Sequence, residues 1–268
     1  MNERLPLQTE KIIAEIRGAV GWIAIHNPER RNAVSREMWT GLGDAATAFG
    51  ADPRVRAVVL YGTGGKAFAA GADISEFDAH RADAEQQQAY NEIASRGRVA
   101  LGGLAKPLVA MVDGFCIGGG LAIALQADVR FASPGSRFGI PAARLGLGYG
   151  YDGLARLARL VGPSTARDML FSARQLQADE ALRCGLVNFV VEGADLLARV
   201  AAYADTIARN APLTVRAAKA AMNAFESYTE QAETSEVEAL VKACFDSADY
   251  QEGRTAFMEK RPPHFNGS

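Results

Sequence analysis

The sequence predicts an α/β domain with mainly parallel strand pairing, followed by an all-helical C-terminal region. Three observations carry this. Short runs rich in β-branched and apolar residues alternate with stretches of helical periodicity through the first 191 residues. Two of those runs, residues 55–61 and 108–112, are almost continuously apolar, the pattern of strands buried on both faces. After about Val191 no convincing strand follows, and only helical stripes remain.

Residues 12–17 and 20–26 flank Gly18-Ala19 and read as two strands around a turn. Ser35 stands where a helix N-cap belongs, and Met38, Leu42, Ala45, Ala46 and Phe49 recur behind it at helical spacing. The run 55–61 follows Asp52-Pro53, the run 108–112 follows Lys106-Pro107, and residues 129–132 form a third strand of this kind. A helical stretch, 84–101, lies between the first two. In the C-terminal part, Leu196, Val200, Tyr203, Ala204 and Ile207 make one stripe, and Val237, Leu240, Val241 and Cys244 another. We divide the chain into an α/β core, 1–191, and a helical appendage, 192–268. Its stripes either cover the core and its site or build a subunit interface. No internal repeat or heptad run is visible.

With 268 residues, 49% of them hydrophobic and 22% charged, the chain has ample core for one large domain. A formal net charge of −2 gives no reason to expect nucleic acid or an anionic membrane as partner. No apolar run is long enough to span a bilayer, and residues 1–11 are polar, so the expectation is a cytoplasmic protein. Cys116, Cys184 and Cys244 are odd in number and lack ligand spacing, which favours buried hydrophobes over redox or nucleophilic roles. His26, His80 and His264 are scattered, so no metal is expected.

Two glycine-rich segments concentrate the chemistry. Lys66-Ala67-Phe68-Ala69-Ala70-Gly71-Ala72-Asp73-Ile74 follows a strand and the turn 62–65. Val112-Asp113-Gly114-Phe115-Cys116-Ile117-Gly118-Gly119-Gly120 runs from a strand into a helix beginning near Leu121. Small residues let main chain approach a ligand closely, and free amides at a helix start favour negative charge. One amide from each segment, aimed at a single point, would stabilise an oxyanion. The bland alternative is tight strand–helix packing. Neither segment has the spacing of a phosphate loop or of a dinucleotide fingerprint.

Taken in order, these segments and their neighbours identify a family. The chain resembles the crotonase superfamily, also called the enoyl-CoA hydratase/isomerase family, over nearly its whole length. The resemblance rests on Asn27-Pro28 and Asn32-Ala33, the two glycine segments, Lys106-Pro107, Asp113-Gly114, Phe138-Gly139 with Pro141, Leu145-Gly146, residues 158–162, residues 178–181, Gly185-Leu186-Val187, and the closing Lys260-Arg261-Pro262-Pro263. It implies a crotonase-like spiral of ββα units with a helical C-terminal part. It also implies assembly as a homotrimer or a dimer of trimers. The implied ligand is an acyl-CoA thioester, bound without metal or separate cofactor, since coenzyme A is part of the substrate. The amides matching Ala72 and Gly119 would form the oxyanion hole, and the main chain at Ala70 would meet the adenine. Arg30, Lys66 and Lys260 are candidates for the CoA phosphates, with solvated surface charge as the alternative. Asp73, Ile74 and Gly118 flank the amides and complete the acyl-CoA set, although Asp73 and Glu76 equally suit the stabilisation of a helix start.

The sequence departs from a hydratase at two places. The resemblance implies one glutamate at the second residue after Gly120 and another after the Phe-Gly-x-Pro element. Here these are Ala122 and Ala142, and alanine neither positions water nor moves a proton. The next segment offers substitutes. Tyr149 matches the position where methylmalonyl-CoA-decarboxylating members carry a tyrosine and another non-hydrating member an aspartate. It reads either as an acid or as a pocket wall. Asp152 reads either as a base or as a helix N-cap before residues 154–160. Three functions follow. The first is an acyl-CoA enzyme that stabilises a thioester enolate without hydrating, with decarboxylation of a malonyl-type thioester as its sharpest form. The second is an isomerase or residual hydratase with a relocated acid or base. The third is a non-catalytic acyl-CoA-binding protein.

Overall fold

A computed structural model describes residues 3–73, 84–227, 242–243 and 245–264, without the side chains of residues 84, 85, 87, 152 and 227. In chain order the strands are β1 Glu3–Arg4, β2 Ile12–Arg17, β3 Val20–Ile25, β4 Ala57–Gly62, β5 Ala67–Ala69, β6 Leu108–Val112, β7 Phe115–Ile117, β8 Val129–Ala132, β9 Arg137–Gly139, β10 Leu176–Gln177 and β11 Phe189–Val190. The helices are α1 Arg36–Ala51, α2 Ala84–Gly102, α3 Gly119–Ala124, α4 Tyr151–Ser172, α5 Ala178–Arg183, α6 Gly193–Arg209, α7 Pro212–Ser227 and α8 Ala248–Glu259.

The strands form two sheets. The larger runs β1-β2-β3-β4-β6-β8-β11, antiparallel through β3 and parallel beyond it. The smaller runs β10-β9-β7-β5, with only the β9–β10 pair antiparallel. Successive strand pairs, β4 then β5, β6 then β7, β8 then β9, put their first member in the large sheet and their second in the small one. A helix follows each pair. This is the expected spiral of ββα units, and the hairpin at 12–25 and the strands at 108–112 and 129–132 lie where the sequence places them.

The continuous apolar runs are explained by two covered faces. Ile23 and Ile25, with Val58, Leu60, Leu108 and Ala110, face the main core with α1, whose Met38, Leu42, Ala45, Ala46 and Phe49 are all buried. Their alternating neighbours Val20, Trp22, Val59, Val109 and Met111 face the other side and meet Leu196, Val200 and Ala204 of α6. The Ser35 side chain caps α1 by accepting from the Met38 amide. Helix α6 is therefore a covering layer of the large sheet, the first of the two tasks the sequence left open for its stripe. The described part of 192–268 holds three helices and no strand. The second stripe, with Cys244, lies outside the described residues. No helix among the described residues is long and apolar enough to cross a membrane.

Candidate active site

The first glycine segment leaves β5 and is pinned by main chain. The Ala70 amide donates to Arg31 O, the Val34 amide to Gly71 O, and the Asp73 amide to Val34 O. Val34 and Ala72 thus form a parallel bridge in which both hydrogen bonds belong to the neighbours of Ala72. By the geometry of that pairing, the N–H of Ala72 points away from Val34. Gly71 has φ of 113°, a conformation only glycine adopts easily.

The second segment turns just before α3. Gly118 has φ of 53° and ψ of −114°, and its amide donates to Gly139 O. Gly119 then opens the helix, where an amide has no preceding turn to bond. A Cβ built on Gly119 would lie 3.7 Å from the Ala72 nitrogen, so the two amides are neighbours. Neither makes a hydrogen bond among the described residues. Both residues line one cavity of about 970 Å³. Two unused amides converging on a cavity can polarise a carbonyl oxygen placed between them.

Much of the remaining motif set holds these segments in place. Asn32 is fully buried; its amide group donates to Thr63 O and Ala67 O, and its carbonyl accepts from the Asn27 amide. Gly114 has φ of 77°, and a Cβ there would meet Lys66 O at 2.2 Å. A Cβ on Gly120 would sit 2.1 Å from Ala69 O, so the third glycine is what lets α3 lie against β5. The ammonium of Lys106 rests on Phe49 O and Asp52 O at the end of α1, where the carbonyls favour positive charge. Cys116 is fully buried, and burial pushes its thiol far above the usual range, which makes it inert.

The cavity gathers some candidates and leaves others out. Ala70, Ala72, Gly118, Gly119 and Tyr149 line it, as do Ala122 and Ala142, which are 6% and 8% exposed. Asp73 is buried and ion-paired: both its oxygens accept from Arg30, at 2.9 and 3.1 Å. Arg30 is thereby engaged in holding the chain beside Ala72. Lys66 and Lys260 are exposed and stand outside the lining, Lys260 in a left-handed conformation closing α8. Ile74 and Glu76 lie outside the described residues. The N-cap reading of Asp152 is corrected: α4 starts at Tyr151, and Gly150 is its cap. Asp152 is the second residue of the helix, because the extended Gly150, not a polar side chain, turns the chain into it. Its side chain is outside the described residues.

The structure adds residues that the motif reading passed over. Trp39, Arg31, Arg98 and Arg144 line the cavity. Arg31 stacks on the Phe115 ring at 5.5 Å. The Trp39 indole donates to the Tyr90 hydroxyl at 3.0 Å and reaches within 3.8 Å of the Cβ position of Gly119. A signal existed for part of this: residues 88, 91, 95 and 98 of α2 are polar at helical spacing. The wall carrying Tyr149 is braced from the C-terminal region. A Cβ on Gly253 of α8 would meet the Leu145 main chain at 2.6 Å, and one on Gly146 would meet Asp249 O at 2.8 Å. Phe257, Arg261 and Pro263 complete that side of the cavity.

Comparison with known proteins gives the family and the fold. The family model described as enoyl-CoA hydratase/isomerase matches residues 15–268. The crotonyl-CoA hydratase of Syntrophomonas wolfei subsp. wolfei is 36% identical over 257 residues, covering 96% of this chain and 98% of that protein. Among solved structures, an enoyl-CoA hydratase/carnithine racemase from Magnetospirillum magneticum is 37% identical with a TM-score of 0.80, over 97% of both chains. A methylmalonyl-CoA decarboxylase in complex with 2-nitronate-propionyl-CoA is 27% identical with a TM-score of 0.89, over 97% of this chain and 99% of that one.

Proposed function

The chain belongs to the enoyl-CoA hydratase/isomerase family, the crotonase superfamily, and from that premise we propose that it binds an acyl-CoA thioester, polarises the carbonyl with the Ala72 and Gly119 amides, and stabilises an enolate without efficient hydration. The observation that carries the second half is the pair Ala122 and Ala142. Both line the cavity that the two amides face, at the places where the family resemblance implies the hydratase glutamates.

Decarboxylation of a malonyl-type thioester is the form of this chemistry that asks least of the side chains. The bond between the α-carbon and the carboxylate breaks, and CO₂ leaves. The electron pair moves into the thioester as an enolate whose oxygen accepts from the two amides. The α-carbon then takes a proton, from water or from the Tyr149 hydroxyl, which re-protonates from solvent. No base is needed, and the developing charge meets amides already in position. The fold likeness to methylmalonyl-CoA decarboxylase supports this form. Hydration instead requires a group to activate water and one to deliver the α-proton.

A second reading is favoured by the hydratase names of relatives at 36–37% identity. In it, hydration or double-bond isomerisation proceeds through a relocated carboxylate, with Asp152 as the nearest in sequence. Steady-state assay with methylmalonyl-CoA and crotonyl-CoA separates the two. Decarboxylation without hydration supports the first. Hydration at ordinary enzymatic rates, with loss of α-proton exchange in Asp152→Asn, supports the second. Tight binding of both thioesters with turnover of neither would leave a non-catalytic binder. We also propose a homotrimer or dimer of trimers. Leu213 and Phe225 on α7 are 77% and 76% exposed, surface that assembly would cover, and sedimentation equilibrium tests it.

A further inference from the structure

Helix α2 carries two stripes with different tasks. Tyr90, Ala94, Gly97 and Leu101 pack toward α1; a Cβ on Gly97 would meet Trp39 O at 2.7 Å. Gln88, Asn91, Ser95 and Arg98, spaced i, i+3, i+7 and i+10, line the cavity. Tyr90 and Ala94 line it as well, so the wall is mixed; Gln88 and Asn91 are exposed, and Ser95 and Arg98, both half-buried, are the polar groups that a plain alkyl chain would strand by drying them.

Arg98 is the charged end of that stripe. It is half-buried, and its guanidinium carbon lies 5.8 Å from the Trp39 ring centroid. The same indole reaches the Gly119 segment, so one aromatic ring separates this cation from the two amides. Arg31 and Arg144 also line the cavity, Arg31 against the Phe115 ring and Arg144 in the helical turn Ala142–Arg144, and two further arginines nearby are ion-paired. Arg30 is held by Asp73, and Arg261 by Glu252 and Glu259. Among the described residues no carboxylate pairs with Arg98. Glu92, the only carboxylate among the described lining residues, is exposed. A guanidinium resting on an indole inside a ligand cavity retains its hydrogen-bonding fork for a planar anion.

We propose that the acyl group taken by this cavity carries a carboxylate beyond its α-carbon, and that Arg98 receives it. This rests on the acyl-CoA reading above. The carboxylate is distinct from one lost in decarboxylation, which sits on the α-carbon beside the amides. A carboxylate that Arg98 holds is stabilised in the ground state and stays on the product. Arg98 thus sets substrate class, and the amides set the chemistry.

Calorimetry with saturated thioesters of matched carbon number tests this. Succinyl-, glutaryl- and adipyl-CoA are compared with butyryl-, pentanoyl- and hexanoyl-CoA on the wild-type chain, Arg98→Gln and Arg98→Lys. At least one dicarboxylic thioester binds wild type about tenfold or more tightly than its monoacid counterpart, the scale of a hydrogen bond between charged groups. Arg98→Gln removes that preference with monoacid affinity unchanged, and Arg98→Lys restores part of it. The proposal is overturned if wild type prefers no dicarboxylic thioester, a result that needs no variant to fold, or if the preference survives Arg98→Gln. In either case binding of the monoacid thioesters leaves the acyl-CoA reading standing. Failure of all six to bind removes that reading and this proposal together.

Discussion

The two walls of the cavity are built on different principles. One wall, Gly71-Ala72 against Gly118-Gly119, presents main-chain amides, and its geometry is over-determined by hydrogen bonds and by glycines whose Cβ positions are occupied or strained. The other, formed by Ala122, Ala142 and the loop to Tyr149, depends on what its side chains are. On the reading proposed above, the first wall polarises a thioester and the second sets which reaction follows, with alanine at 122 and 142 in this chain.

The sharpest way to break the comparison is at the glycines themselves. Gly120→Ala places a methyl 2.1 Å from a main-chain oxygen that cannot move aside, so a loss of about 3 kcal/mol or more is expected, up to failure to fold. Gly119→Ala meets nothing closer than 3.6 Å and should stay within ~1 kcal/mol of wild type in urea denaturation. Equal effects would mean that the amide wall is not sterically determined. On the opposite wall, Tyr149→Phe should lower kcat for the favoured thioester about a hundredfold with KM little changed, as expected when an acid is removed. Unaltered kcat would make the ring a packing element.

Smaller effects are expected from the supports. Arg30→Gln leaves the buried Asp73 without its guanidinium. Because Arg30 is itself half-exposed, the loss should be about 1 kcal/mol, read from the shift of the denaturation midpoint. The smallest concerns the C-terminal brace. Arg261, with the His264 amide adding to it, holds the Glu252 carboxyl down to about 2. A carboxylate with a depressed folded value contributes fully above its ordinary value near 4.5 and loses that contribution as pH falls toward 2. Amide exchange in the segment around Arg261 should accelerate over that window, while α3 exchange stays unchanged. Acceleration at both would mean that the brace and the amide wall are one cooperative unit.

The same division explains what was legible from residues alone. The hairpin at 12–25, the Ser35 cap and the two-sided strands were readable because turn chemistry, capping and periodicity are local. What was not legible has a common cause. Arg30, Lys66 and Lys260 look alike as phosphate candidates in the sequence, and only contacts tell them apart: Arg30 is ion-paired with Asp73, 43 residues away, while Lys66 and Lys260 are exposed. Asp152 looked like a cap because the extended Gly150 before it carries no side-chain signal. Arg98 escaped notice because one arginine on a helical stripe has no motif around it.

By itself the sequence determined an α/β domain with mainly parallel strands, the two glycine-rich segments and the absence of glutamates at 122 and 142. These follow from short-range patterning and residue types, while the order of motifs carried the family resemblance, and that resemblance implied the spiral. Only the tertiary structure decided that the Ala72 and Gly119 amides are neighbours without a hydrogen bond among the described residues, that α6 packs on the large sheet, and that Arg98 shares the cavity with Trp39. Those facts depend on which distant segments meet and on which charges are already neutralised where they do. Pairing of that kind is a property of three-dimensional contact and leaves no period in the chain.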